Sequence, residues 1–279
     1  MTSERPRQIV IRPARGWSSV SLVDIWDYRY LILYFINRDI FAIYRQTVLG
    51  VGWALIGPIM TMIVFTFIFG HIARIPSDNL PYPIFAFAAL TAWTYFSTAM
   101  GRCTNSLLEN SAIITKVYFP RLALLLVPIC SAMVNFVIAF AVLLCLMAYF
   151  GITPRMEALF AVPLLLLMAA IAAITLGLWL APLNVQFRDV SQGMPFLIQF
   201  LMYATPIAYP LSAVPEPFHT ILQWNPMTHV VNGFRWSLLG ADSAPDLHYA
   251  ILSMLSVTVL FIGGLFWFRY MEKTFADVV

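Results

Sequence analysis

What most constrains this chain is the length of its uncharged apolar runs. Residues 48–73, 81–101, 122–150, 159–183, 193–209 and 247–268 hold no Asp, Glu, Lys or Arg well inside them. A helix needs roughly 20 mainly apolar residues to cross the hydrocarbon core of a bilayer. Composition agrees: 61% of the residues are hydrophobic and 10% are charged, where soluble domains run at about 45–50% and about 25%. The expectation is an all-α integral membrane protein with six transmembrane helices. The fifth run is the shortest and carries Pro195 and Pro206, which predicts a kink. At about 3.6 residues per turn the two prolines fall on nearly one helical face.

Basic residues give the orientation. With the N-terminus inside, the cytoplasmic segments carry Arg5, Arg7, Arg12, Arg15, Arg29, Arg38, Arg45, Arg102, Lys116, Arg121, Arg188, Arg269 and Lys273. The outer segments carry only Arg74, Arg155 and Arg235. That asymmetry predicts both termini in the cytoplasm. Residues 1–20 read as a basic flexible arm rather than a signal peptide, because their arginines and prolines precede no apolar core. The arm either holds an anionic leaflet, at roughly 1 kcal/mol per arginine, or sets topology without a specific ligand. Cys103, Cys130 and Cys145 lack metal-ligand spacing and read as packing residues. The net charge of +3 points to no nucleic-acid partner.

Two segments are neither spans nor ordinary loops. Residues 21–46 are helix-like but interrupted by charge. At about 100° per residue, Asp24, Asp27, Arg38 and Arg45 share a sector of roughly 60°. This predicts an amphipathic interface helix lying along the cytoplasmic surface, against another protein, or both. Residues 47–279 form the transmembrane domain. Within it, 211–246 is too apolar for a solvated loop, and Asn225 before Pro226 is a helix-start signal. Two short outer helices are expected over 217–224 and 226–239, too short to span at about 1.5 Å per residue. They either dip into the outer leaflet and return, as a re-entrant gate, or lie flat on it. A further short helix is expected between the second and third spans, where Ser106 and Glu109 have the spacing of a capping box. It would start at Leu107 and stop before Pro120.

Several chemistries are missing. Ion-driven transport needs ionisable groups inside spans, and the six runs hold none. A P-loop needs Gly-Lys-Ser/Thr, whereas Lys116 follows Thr115 and Lys273 follows Glu272. No ATP site is expected in this chain. His71, His219, His229 and His248 lie in outer segments without metal-binding spacing, so no metal and no catalytic residue are expected. His229 and Arg235 read as a polar rim, and Asp242 and Asp246 as loop caps. Aromatic residues make up 15% of the chain. Helix packing is the default for Phe65, Phe67, Trp93, Tyr95, Phe196, Phe200 and Tyr203, yet an uncharged pore of aromatic faces and hydroxyls would suit sugars.

Specific strings carry more. NRDIFAIYRQTVLGVGWALIGP (37–58), ENSAIITKVYFPR (109–121), NVQFRDV (184–190), TPIAYPLSAVP (205–215), WNPMTHVVNGFRWSLLG (224–240) and RYMEKTFADVV (269–279) occur in that order. In combination, over about 25–279, the chain resembles type-2 ABC exporter permeases. It is most similar to the branch that exports O-antigen, capsule or teichoic-acid chains, the Wzm, KpsM and TagG type. The resemblance implies a homodimer with a channel between protomers, and two copies of a cytoplasmic ATPase subunit that hold ATP and Mg. It also implies a polyprenyl-linked polysaccharide substrate and a bacterial inner membrane. It places Trp53, Phe196, Phe200 and Tyr203 near the path of the polymer and Phe218, Trp224, Met227 and Phe234 in an outer gate. Coupling to the ATPase is expected at Asp27, Arg38, Glu109, Ile113, Lys116, Arg188 and Asp189. Two other functions stand as alternatives: a lipid or drug exporter of the same superfamily, and a membrane enzyme acting on polyprenyl-linked sugars.

Overall fold

Backbone in hydrocarbon must satisfy its own N–H and C=O groups, so long apolar runs become helices. The computed structural model describes residues 26–44, 52–114, 116, 119–241, 244 and 246–272. Among these the chain forms α1 (Arg29–Tyr44), α2 (Gly52–Phe65, continuing as a π-helical segment Thr66–Ile72), α3 (Tyr82–Glu109), α4 (Ser111–Ile114) and α5 (Ala123–Phe150). There follow α6 (Ala158–Gln186), α7 (Asp189–Tyr203), α8 (Glu216–Gln223), α9 (Pro226–Phe234, then a π-helical turn Arg235–Leu239) and α10 (Leu247–Glu272). Among the described residues, five helices are long and apolar enough to cross a membrane: Leu55–Ile72, Tyr82–Glu109, Ala123–Phe150, Ala158–Gln186 and Leu247–Glu272.

The segment expected to be a kinked fifth span over 193–209 differs. Its helix begins at Asp189 and ends at Tyr203, 15 residues in all. At about 1.5 Å per residue that is roughly 22 Å, less than the roughly 30 Å of a hydrocarbon core. Pro206 lies beyond the helix end and so shares no helical face with Pro195.

α3 is the axis of the bundle. Ile84, Phe85, Ala86, Phe87, Ala88 and Ala89 are completely buried, because α5, α6, α2 and α9 all pack on this helix. Its alanines let neighbouring backbones approach closely, which is how membrane helices gain dispersion contact. At the crossing with α6, a Cβ on Gly177 would lie 2.7 Å from Cys103 Cβ. On α9, a Cβ on Gly233 would meet Leu165 Cδ1 at 2.6 Å. A second apolar core lies at the far end of α3, where Phe35 of α1 sits among Leu107, Phe119, Leu125, Leu178 and Phe268. Thus α3 joins two ends, with Tyr82 beside α7–α9 and Asn110 beside α1.

The capping box at Ser106 and Glu109 is not used. α3 runs through both positions, and the Ser106 hydroxyl donates back to the Cys103 carbonyl within the helix. The helix breaks at Asn110 instead, and among the described residues the four-residue α4 follows. Asp24, Arg45 and residues 1–20 lie outside the described residues.

Candidate functional site

α7 has two dissimilar faces. At about 100° per residue, Gln192, Phe196, Gln199, Phe200 and Tyr203 share one side, and all five are exposed. Phe196 is 76% exposed, Phe200 68% and Tyr203 54%. On the other side Met194 is buried, and Leu197, Ile198, Leu201 and Met202 pack against the main core. The aromatic residues that sequence left undivided therefore separate. Phe65, Trp93 and Tyr95 are buried, whereas Phe67 of the π-helical segment stands out with the α7 aromatics. The side chain of Trp53 lies outside the described residues.

The start of α7 is tied to two helices through Asn105. Its Oδ1 accepts from Ser191 Oγ at 2.5 Å and from Asn184 Nδ2 at 2.9 Å. Asn184 Nδ2 also donates to the Thr104 carbonyl at 3.1 Å. Asp189 in the first turn complements the positive end of the helix dipole.

The end of α7 is a helix break in which six consecutive carbonyls all find donors. Tyr209 Oη donates to the Tyr203 carbonyl at 2.9 Å and Asn225 Nδ2 to that of Ala204 at 3.2 Å. The Ile207 N–H donates to Thr205 O at 2.7 Å. Arg235 Nη1 and Nη2 donate to Pro206 O and Ile207 O at 2.7 and 2.6 Å. Tyr82 Oη donates to Ala208 O at 2.5 Å. Irregular backbone at membrane depth is tolerated only when so satisfied. Arg235 is the largest departure from the sequence reading. It is no rim residue but is 2% exposed, with its guanidinium 3.5 Å from the Phe85 ring centroid. His229 is likewise buried, its Nε2 2.7 Å from the Gln223 carbonyl. Burial pushes its imidazole pKa down, with the Gln223 contact and Asp246 opposing.

Two short helices follow α7, Glu216–Gln223 and Pro226–Phe234. Asn225 caps α9 by accepting from the Met227 N–H at 3.0 Å. Phe218, Ile221 and Trp224 are exposed, and Phe218 and Ile221 line an apolar groove with Tyr209, Val214, Pro215 and Leu222. Met227 and Phe234, in contrast, are core residues, 1% and 0% exposed, that fix α9 to the bundle. Asp246 caps α10 through the His248 N–H, whereas Asp242 lies outside the described residues.

At the α1 end, polar groups join the first helix to α3. Arg38 Nη2 donates to Asn110 Oδ1 at 2.7 Å, and Asn110 Nδ2 donates to Ser106 O at 2.8 Å. Arg102 Nη2 donates to Asp39 Oδ2 at 2.6 Å, and its Nη1 to Ser131 Oγ at 2.9 Å. Arg38, expected in the charged sector of the first helix, lies over the Phe35 ring with 36% of its side chain exposed. Asp39, Arg102 and Asn110 were absent from the sequence candidates; a signal was available only for Arg102, which stands at the end of the apolar run 81–101. Asp27, Glu109, Lys116, Arg188 and Asp189 are exposed, and Ile113 packs partly buried against the second core. Among the described residues no cluster of His, Cys, Asp or Glu could hold a metal ion.

Comparison with known proteins gives this arrangement its class. The family model described as ABC-2 type transporter matches residues 30–239. The chain belongs to that family of transporters, and is an integral membrane protein. It is 26% identical over 251 residues to the O-antigen export system permease protein RfbA of Klebsiella pneumoniae, covering 89% of this chain and 95% of that protein. It is 27% identical over 242 residues to RfbA of Myxococcus xanthus, covering 86% and 91%. With the polysialic acid transport protein KpsM of Escherichia coli it shares 24% over 233 residues, covering 81% and 88%.

Proposed function

We propose that this chain is the membrane permease of an ATP-driven exporter that moves a lipid-linked polysaccharide through a channel between two copies of itself. The observation that carries this is the exposed face of α7, where Gln192 and Gln199 alternate with Phe196, Phe200 and Tyr203. A glutamine amide turned to lipid has no hydrogen-bond partner and costs several kcal/mol. Set against the same face of a second copy, it borders water instead. The aromatic faces then stack on sugar C–H surfaces while the amides and the Tyr203 hydroxyl serve sugar hydroxyls. The relatives named for O-antigen and polysialic acid export support the substrate class.

In this reading α7 with residues 204–209 is a sixth crossing, fifth in order, and both termini face the cytoplasm of a bacterial inner membrane. Two ATPase subunits dock at the α1 end through the exposed Asp27, Glu109, Lys116, Arg188 and Asp189 and supply the ATP and Mg chemistry. α8 and α9 form the outer gate, with Phe218 and Trp224 on its surface. The direct test is deletion in the host followed by complementation with the chain and its ATPase. Loss of surface polysaccharide with accumulation of lipid-linked polymer inside is expected. Unchanged surface polysaccharide with loss of drug or lipid efflux would sink the reading.

A further inference from the structure

A buried arginine in a membrane protein needs a reason. Arg235 is 2% exposed, and among the described residues no carboxylate lies within ion-pair distance of it. Every polar group it touches is a backbone carbonyl: Phe85 O at 3.3 Å, Pro206 O at 2.7 Å and Ile207 O at 2.6 Å. Two of these are the carbonyls freed where α7 ends. The planar fork of a guanidinium presents two separate nitrogens to two adjacent acceptors, where an ammonium offers a single donor atom. The same short helix also holds the break from its other end, since Asn225 Nδ2 reaches Ala204 O and, at 2.9 Å, Thr205 Oγ1. Thr205 Oγ1 in turn donates to Leu201 O, within α7 itself.

From this we infer that Arg235 is a positioning residue that locks the outer end of α7 to α9, so that the gate helices and the aromatic wall move as one body. The inference rests on the channel reading for its bearing on export, but the lock itself does not. Asn225 caps the start of α9 and Arg235 follows its last residue, so both ends of one helix grip residues 204–207. A shift of α9 therefore carries the helix break with it, and with the break the ring of Tyr203 at the last position of α7. Phe85 O and the Tyr82 hydroxyl anchor the same unit to the first turn of α3.

The test uses the full chain assembled with its ATPase in lipid nanodiscs, read by amide hydrogen exchange. Surface sugar in the host, labelled with periodate and a hydrazide dye, is the second readout. In Arg235→Lys, exchange over 204–209 is expected to rise about tenfold, as loss of charge-assisted bonds implies. Exchange over 216–234 is expected to rise with it, while 84–100 stays protected, and surface sugar falls several-fold. Unchanged exchange over 204–209 overturns the lock, and a rise confined to 204–209 overturns the single moving body. A rise over both segments with full surface sugar upholds the lock and contradicts the channel reading instead. Tyr82→Phe, which removes one hydroxyl and keeps the ring, is measured in parallel. It is expected to raise exchange over 204–209 by about threefold, and no rise there overturns the inference even where Arg235→Lys does not assemble.

Discussion

Arg102 and Asp39 meet at 2.6 Å, 63 positions apart in sequence, and join the first helix to the central one. Both are partly shielded, with 25% and 15% of their side chains exposed, so the pair is worth more than a surface ion pair. Asp39→Ala leaves Arg102 with Ser131 alone. We expect an inserted protein about 2 kcal/mol less stable, in which ATP hydrolysis by the complex continues while export drops. Thermal unfolding and coupled export assays on the purified complex check both parts. The exchanged pair Asp39→Arg with Arg102→Asp should recover part of the loss, and no recovery would show that the loss does not come from this ion pair.

The α3–α6 crossing makes a sharper stability prediction. Gly177→Ala forces a Cβ to within 2.7 Å of Cys103 Cβ, between two packed backbones. Overpacking of this kind costs about 1–3 kcal/mol, so the melting temperature should fall. Cys103→Ala keeps the offending Cβ and should give no relief in the double variant, whereas Cys103→Gly should restore much of the stability.

On α7 the sign of one substitution is informative. Gln199→Leu stabilises or is silent at a lipid-facing site, and impairs export at a water-lined sugar path. We expect impaired export with unchanged melting temperature, because the position is exposed. Phe196→Ala, Phe200→Ala and Tyr203→Ala should each reduce export about fivefold, the worth of roughly 1 kcal/mol of ring stacking. Equal export from the triple variant and wild type would take α7 out of the channel wall.

Docking of the ATPase is best probed at Glu109, which is exposed, rather than at Ile113, which also packs on the second core. Glu109→Lys should leave folding intact and weaken binding of the ATPase in a pull-down from detergent. Ile113→Asp should weaken binding and lower the melting temperature together. Normal binding in both would leave α1 as the docking element.

Phe218 stands 56% exposed on α8, whereas Met227 is buried. Cysteine at 218, crosslinked between copies, should block export without blocking assembly. Cysteine at 227 should resist crosslinking altogether, and efficient crosslinking there would place α9 differently from this structure.

The long helices are legible from sequence because hydrocarbon leaves the backbone no partner but itself. Their ends are less so. α3 continues two turns past its apolar run because Arg102 finds Asp39 and Ser131, and a charge with partners does not end a helix. Ser106 bonds inside its own helix, as mid-helix serines do, so capping-box spacing misleads there. Asn225 before Pro226 reads correctly because cap and proline act locally. Arg235 does not, since its partners lie 28, 29 and 150 residues away. The exposed side of α7 is half legible: its aromatics are evident, but only packing of Leu197, Leu201 and Met202 on the core shows which side faces outward.

The central claim is that polymer passes along the exposed face of α7. Photo-crosslinking during export tests it most directly, with p-benzoylphenylalanine placed at Phe200 and, as control, at the exposed Leu255 of α10. The account predicts ATP-dependent capture of glycan at position 200 and none at 255. Capture of lipid alone at position 200, with export proceeding, would contradict it.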